Sequence, residues 1–194
     1  MAVTLCGQLI ANNIAPDCDR PMFSGLEDIA YIINKKDWDA GTVVYDGTNP
    51  HIITSISLVS PAKAYQVYNP VKNPFNGTSV ALNSGDNVNK LDNKVSFMIM
   101  DNGPVVSQDI IEPIKNGKFV MIIENTREGV KGKFEIMGLE KGLKLSALSR
   151  NHTDEGTDGC WTVEMSETGV TVAPTFVFDT DVATTRALLN GLLV

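Results

Sequence analysis

Apolar and polar positions alternate along much of the chain, which is typical of β-strands with one buried face. The alternation is clear at residues 94–100, where Val95, Phe97 and Ile99 occupy the more apolar face. Residues 119–123 are instead a continuous apolar run, as expected for a strand buried on both faces. Both stretches are predicted strands.

A helix is predicted between these two strands. Asn102, Gly103 and Pro104 interrupt the first strand, and Val106, Ile110 and Ile114 then follow at the four-residue spacing of one helix face. Pro113 departs from this pattern, since proline kinks or shortens a helix. We therefore predict a strand–helix–strand core at residues 94–125. Its two strands are candidate members of a sheet shared between subunits, and the helix is expected to cover the outer side of that sheet.

Other segments have weaker strand patterns and a final helical one. In the strand predicted at 142–149, Leu143, Leu145 and Ala147 share one face. Far earlier in the chain, Trp38 is predicted to lie in a polar turn. A helix is predicted at 181–193, with Thr180 as its N-cap. The remaining predicted strands are residues 29–33, 42–45, 52–58, 131–136, 161–166 and 171–178.

Two stretches lack the periodicity of a packed element. Residues 1–21 read as an extended arm whose apolar side chains dock either on their own domain or on a neighbouring subunit. Residues 62–93 hold two prolines and seven asparagines, and long connections of this kind are usually functional or mobile. This second stretch is predicted to be either a surface loop or a hairpin arm that orders against another subunit, with short strands near Tyr65, Val67 and residues 80–82.

These elements predict one domain over residues 1–194 with a mainly β (α+β) fold. The chain does not alternate strand and helix throughout, which argues against a doubly wound parallel sheet. The expected architecture is an antiparallel β-sandwich or barrel with one packed interior helix, a long loop or hairpin arm and a C-terminal helix.

Composition narrows the classes of function only a little. The 194 residues are 43% hydrophobic and 20% charged, as in ordinary globular proteins. The net charge of −7 argues against a protein that grips nucleic-acid phosphates. The three widely spaced cysteines are expected to be free thiols, and neither a signal peptide nor a membrane-spanning run is predicted.

The sequence predicts no catalytic, cofactor-binding or metal-ligating residue, and no cofactor. His51 and His152 are expected in solvent, Cys160 is expected to be a small buried thiol, and the acidic stretch 151–159 lacks the ligand spacing of a calcium loop. Residues 129–133 lack the spacing of a phosphate-binding loop, so a hairpin turn with its lysines in solvent is expected. The chain is not predicted to be an enzyme.

Charge is unevenly distributed near the C-terminal half. Residues 115–150 carry eight basic and four acidic side chains, whereas residues 151–194 carry seven acidic side chains and Arg186. Opposite charges on adjoining segments either neutralise within one subunit or form a head-to-tail contact between copies.

The order of elements resembles that of the tail tube proteins of tailed bacteriophages and related contractile injection systems. The resemblance lies in the β-rich sandwich, the long loop, the interior helix between two strands and the free chain ends. Local patterns resemble phage virion proteins in four places: Cys18-Asp19-Arg20-Pro21, Asn116-Gly117-Lys118-Phe119-Val120, Phe134-Glu135-Ile136-Met137-Gly138-Leu139 and Phe178-Asp179-Thr180-Asp181-Val182-Ala183-Thr184-Thr185.

The resemblance implies a non-enzymatic virion subunit, made in the host cytoplasm, that forms stacked and commonly hexameric rings. Sheets of neighbouring subunits would join into an inner barrel, with residues 1–21 and 62–93 clamping one ring to the next. Its expected partners are further copies and other tail proteins, with DNA as non-sequence-specific cargo and no membrane insertion. The alternatives are another virion component, such as a head–tail connector, head decoration or contractile-injection tube protein, or a monomeric ligand-binding β-barrel.

Overall fold

The computed structural model describes residues 10, 12–15, 24–69, 72–85, 88–126 and 131–193. Its fold is mainly β, with two sheets packed as a sandwich and a few helices, as the sequence predicts. The strands are β1 (Leu26–Asn34), β2 (Thr42–Tyr45), β3 (Ile52–Ser57), β4 (Tyr65–Tyr68), β5 (Phe75–Asn83), β6 (Lys90–Ile99), β7 (Phe119–Asn125), β8 (Phe134–Met137), β9 (Lys144–Arg150), β10 (Trp161–Val170) and β11 (Thr175–Val177). The helices are α1 (Lys35–Ala40), α2 (Pro104–Val106), α3 (Glu112–Asn116) and α4 (Val182–Asn190).

The strands form a large and a small sheet. The large sheet has the order β2-β3-β11-β8-β7-β1-β4, and the small sheet has the order β5-β6-β10-β9. All neighbours pair antiparallel except β11 and β3, which are parallel. The outer strands are therefore β2 and β4 in one sheet and β5 and β9 in the other.

Strand β7 lies near the centre of the large sheet and is buried on both faces, which confirms the interpretation of its continuous apolar run. Met121 and Ile123 pack with Val95 and Met165 of the small sheet. Val120 and Ile122 face the opposite side of the sheet, where they belong to a second core that also includes side chains of α1 and α4. A strand between two cores has no face that can take polar side chains, so alternation disappears.

The strand–helix–strand unit predicted at 94–125 has the expected order, but its two strands lie in different sheets. Strand β6 belongs to the small sheet and β7 to the large one. The intervening helical segment therefore crosses from one sheet to the other, instead of covering a sheet that contains both strands. Ile114 anchors this crossover in the core between the sheets.

The interior helix contains a π-helical turn at Ser107–Ile111, between α2 and α3. The Glu112 N–H donates to the Ser107 carbonyl five residues earlier, immediately before Pro113, which has no N–H to give. The wider turn shifts the buried face by one residue, so Ile111 is buried whereas Ile110 is 40% exposed. The predicted stripe through Ile110 was wrong for this reason.

Two further predictions near the helices were wrong. Trp38 does not lie in a polar turn, because it is buried in α1 and packs against the large sheet. The N-cap of α4 is Asp181 instead of Thr180, since the Asp181 carboxylate accepts a 2.7 Å bond from the Thr184 N–H. These backbone hydrogen bonds hold the pKa of Asp181 below its ordinary value.

Residues 62–93 are not one surface loop. In the described part, Tyr65–Tyr68 and Phe75–Asn83 are strands, and β5 pairs with β6 along a long hairpin. The short strands predicted near Tyr65, Val67 and residues 80–82 are present, but they do not form a hairpin with each other, because β4 belongs to the large sheet and β5 pairs with β6. Of the predicted arm at 1–21, only residues 10 and 12–15 are described; Ile10 is 80% and Ile14 91% exposed.

A β-bulge corrects the predicted face of β9. Its pairing with β10 shifts register between Glu164 and Met165, where Ala147 lies opposite Glu164 and Leu145 opposite Met165. Leu145 and Leu148 therefore pack into the core between the sheets, whereas Ala147 is exposed.

Candidate assembly surface

The small sheet has one apolar and one polar face. Its apolar face packs on the large sheet, so the intervening side chains of each strand point away from the core. On this outer face Lys94 and Glu164 form a 2.7 Å ion pair, and Ser146 donates a 3.0 Å bond to the Glu164 carbonyl. Lys94 and the Ser146 hydroxyl together hold the pKa of Glu164 below its ordinary value, with the hydrogen bond from Lys94 as the largest cause.

The small sheet has two open margins, that is, its edge strands β5 and β9 each lack a paired strand on their outer side in the part of the chain that the structure describes. Strand β5 pairs only with β6, and β9 pairs only with β10. Strand β5 is exposed along most of its nine residues, including Val80 at 39% and Leu82 at 67%. Unpaired strand margins offer backbone N–H and C=O groups to another chain, so the small sheet can be extended on either side.

One buried carboxylate, that of Glu167, links several segments of this sheet. Glu167 of β10 is 2% exposed, and its Oε1 accepts bonds from the backbone N–H groups of Lys141 and Gly142 at 2.5 and 3.1 Å. Its other oxygen accepts from the Asn93 amide at 3.2 Å. These contacts join β10 to β6 and to the chain entering β9, so the carboxylate stabilises the fold and is not free for chemistry.

A second surface lies beside β4, the outer strand of the large sheet. We call it the β4 groove; it encloses about 800 Å³ between β4, the end of β6 and the interior helix. Its floor includes the buried residues Phe97 and Phe119, while Tyr65 and Tyr68 on its rim are 52% and 58% exposed. Aromatic side chains exposed next to an open strand margin are typical of surfaces that contact another chain.

The interior helix forms the opposite wall of the β4 groove. The π-helical turn directs Ile110 towards the groove, and Asp109 and Asp101 add carboxylates to the lining. Its described lining contains no Ser, Cys, His or Lys, the side chains most often used as nucleophile or general base. The lining can receive an apolar segment and has no assembled acid–base pair.

A buried ionic network lies under α4 and corrects the prediction for Lys133. Glu124 is 4% exposed; its Oε1 contacts Arg186 of α4 and lies 3.3 Å from the Lys133 ammonium. Lys133 also lies 3.2 Å from Glu27. Lys133 is therefore buried, although Lys131 of the same turn is exposed as predicted. Residues 129 and 130 of the predicted turn lie outside the described residues.

The same network affects Tyr31 of β1. Burial, followed by the negative charge of Glu124, raises the pKa of the Tyr31 hydroxyl above its ordinary value. This hydroxyl donates a 2.8 Å bond to Asn190 at the end of α4. The protonated form is the one that this bond requires, so Tyr31 helps to attach α4 to the sheet.

No hydrogen bond joins the side chains of His51, His152 and Cys160 within the described residues. His152 is exposed, as predicted, but His51 is only partly exposed and its buried Nδ1 has no partner in the described structure. Cys160 is partly exposed, so the prediction of a buried thiol was wrong. It lies immediately before β10, and its N–H donates a 2.9 Å bond to the Thr157 carbonyl.

The acidic stretch 151–159 is a tight turn whose oxygens bond to their own chain. Asp154 accepts bonds from the Gly156 N–H at 3.0 Å and the Thr157 hydroxyl at 2.8 Å. Among the residues that the structure describes, no cluster of three or more His, Cys, Asp or Glu side chains could hold a metal ion. No helix in the same residues has both the length and the apolar character needed to cross a membrane.

The charge asymmetry is not neutralised by ion pairs between the two segments. Within the described residues, no basic side chain of 115–150 forms an ion pair with an acidic side chain of 151–194. One ion pair does join the two segments, but its charges are the other way round: the basic Arg186 belongs to the mainly acidic segment and the acidic Glu124 to the mainly basic one. Lys118, Lys144, Glu155 and Asp158 are among the charges that are exposed, whereas Lys133 and Glu167 are buried.

Sequence reasoning missed both surfaces. The open margins follow from which distant segments pair, and the β4 groove combines three separate parts of the chain. The only local signals were Pro113, which marks the π-helical turn, and the aromatic residues of 65–68.

Comparison of the chain with family models, with curated proteins and with solved structures finds no match in any of the three.

Proposed function

We propose that this chain is a self-assembling virion structural protein, specifically a ring subunit of a phage tail tube. The observation that carries the proposal is the small sheet, which has two different open margins and a polar outer face. Strand β5 of one copy pairs with β9 of the next, and this heterologous contact closes into a ring when a whole number of copies completes one full turn without a rise along the axis. The resemblance noted in the sequence supports the same assignment.

In such a ring the small sheets join edge to edge into one barrel. The apolar face of each sheet is already covered by the large sheet, so the outer faces line the lumen. A lumen lined by serines, threonines and the Lys94–Glu164 pair stays hydrated. The net charge of −7 adds repulsion towards DNA phosphates, which lets the cargo pass without being held.

The joining of margins also accounts for the exposed apolar residues of β5. Val80 and Leu82 lie opposite Asn93 and Leu91 of β6, near the end of the hairpin. A neighbouring β9 would cover these side chains and satisfy the open backbone groups together. Assembly therefore removes two sources of instability in one contact. The proposal assigns no reaction, metal or cofactor to the chain.

Electron microscopy of the concentrated purified protein tests the proposal. Rings or tubes are expected for the wild type, together with a high mass by light scattering. The double variant Val80→Lys/Leu82→Lys should need at least a tenfold higher concentration to assemble, because lysine on a strand margin blocks pairing. The matched control is Ala183→Lys/Ala187→Lys, which adds the same charge at exposed positions of α4.

Two results would contradict this assignment. One is a wild-type chain that stays a monodisperse monomer at high concentration, with no particles or tubes. The other is equal loss of assembly in the β5 variant and the α4 control, since charge alone would then explain the effect.

The volume of the β4 groove favours a second candidate function, binding of a small ligand. About 800 Å³ is within the range of small-molecule sites, and the groove has an apolar floor. A monomer that binds a small apolar probe saturably would support this function. Loss of that binding in Ile110→Asp would place the probe in the groove.

A further inference from the structure

We propose that Asn102 is a self-modification site, at which the Gly103 nitrogen attacks the Asn102 carboxamide while Arg150 stabilises the oxyanion that develops. The reaction converts Asn102 to aspartate or isoaspartate and releases ammonia. Water is its only co-reactant, and the inference does not depend on the proposed function.

The chemistry is open to each of the four Asn–Gly pairs in the chain. The backbone nitrogen of the glycine forms a bond to Cγ of the asparagine, and the side-chain nitrogen leaves as ammonia with the proton lost from the attacking nitrogen. Water then opens the cyclic succinimide at either carbonyl, which gives aspartate or isoaspartate. Glycine favours the ring closure because it has no Cβ to obstruct the approach.

Exposure does not distinguish the four pairs, but hydrogen bonding does. All four asparagines are exposed: Asn76, Asn102, Asn116 and Asn190. The Gly117 N–H donates a 2.8 Å bond to the Pro113 carbonyl, and the Gly191 N–H donates a 2.9 Å bond to the Ala187 carbonyl. In these two pairs the attacking nitrogen must first give up a backbone hydrogen bond.

The Gly103 nitrogen is not held in this way. Its N–H has no hydrogen-bond partner among the residues that the structure describes. Gly103 lies between β6 and α2, outside any strand pairing. Gly77, in contrast, lies within β5, where it and Thr78 are paired with β6. The Gly103 nitrogen therefore needs the least rearrangement to reach the neighbouring carboxamide.

Arg150 supplies the electrostatic part of the site. Its Nη1 donates a 2.5 Å bond to Asn102 Oδ1, the oxygen that gains negative charge when Cγ is attacked. The guanidinium is held by a 2.8 Å bond from Nε to the Gly159 carbonyl and by the Trp161 ring, whose centroid lies 5.5 Å from Cζ. A cation fixed before the reaction lowers the barrier without having to reorganise. After the reaction, the same guanidinium pairs with the new carboxylate.

Peptide mapping of the folded wild-type chain by mass spectrometry, after incubation at mildly alkaline pH, tests the inference. Asn102 should convert about tenfold faster than Asn116 and Asn190, which a backbone hydrogen bond protects, and faster than Asn76. Both aspartate and isoaspartate are expected, because the cyclic intermediate gives both. In urea the four rates should become similar, since the unfolded chain keeps neither the hydrogen bonds nor the contact with Arg150. A native rate at Asn102 no higher than at another pair would overturn the inference.

Two variants test the groups that carry out the reaction. Arg150→Met should slow conversion at Asn102 about tenfold and leave the other three pairs unchanged, because the oxyanion loses its donor. Loss of a merely structural side chain would loosen this region and raise the rate, so an unchanged or higher rate would overturn the role of Arg150. Gly103→Ala, where a Cβ meets no atom within 4 Å, should slow conversion without changing thermal unfolding. Conversion of Gly103→Ala at the wild-type rate would overturn attack by this nitrogen.

Discussion

At the scale of single residues, Lys133 illustrates what a local sequence cannot reveal. It lies in a glycine-containing turn next to Lys131, and the two lysines have the same local appearance. Only Lys133 is buried, because folding brings Glu27 and Glu124 to its ammonium group. A buried carboxylate with two cationic partners is stable only while the network is complete.

We predict that Lys133→Met lowers the free energy of unfolding by about 1–3 kcal/mol, because Glu124 then keeps only Arg186. Urea unfolding at neutral pH measures the change. Lys131→Met is the matched control and should stay within about 0.5 kcal/mol of the wild type, since its side chain is exposed. Equal effects of the two substitutions would show that the buried network has no special role.

At the scale of elements, the sequence predicts which segments form strands better than which face each segment buries. Strand β2 has the predicted bounds, and the buried run of β7 is confirmed. The predicted buried face was wrong in two segments where one extra residue interrupts the regular pattern: at the β-bulge of β9 and at the π-helical turn. Both insertions depend on distant packing partners, so periodicity alone does not locate them.

The shifted helix face gives a direct test with adjacent residues. Ile111→Asp should destabilise the protein by about 3–5 kcal/mol, because it places an unpaired charge where the side chain is 6% exposed. Ile110→Asp should change the stability of the isolated subunit by about 0.5 kcal/mol or less. Thermal or urea unfolding of both variants measures the difference; the reverse order would mean a regular α-helix at this site.

At the scale of the whole molecule, the sequence predicts a β-rich fold but not the division of strands between two sheets. Strands β4, β5 and β6 follow one another along the chain, yet β4 belongs to the large sheet and the other two to the small sheet. Membership is decided by pairing with distant segments, such as β1 and β10. Both candidate surfaces arise from this division.

Hydrogen exchange should report the same division in the unassembled chain. The amides of β7 are expected to exchange slowest, because this strand is paired on both sides and buried on both faces. Those of β4 and β5 should exchange sooner, since each has one open margin. Mass spectrometry of peptides from the three strands, at a concentration below assembly, measures the order. Faster exchange in β7 than in β4 would contradict the arrangement.

The central position of β7 also sets the order of folding. Its partner β1 precedes it by about 90 residues, and the helical crossover separates it from β6 of the opposite sheet. Contacts between distant segments form slowly because a long loop must close first. The local β5–β6 hairpin can therefore form well before the centre of the large sheet is complete. We expect the open side of β5 to be exposed at that stage, before the two cores are complete, so that association between incomplete chains competes with ordered growth.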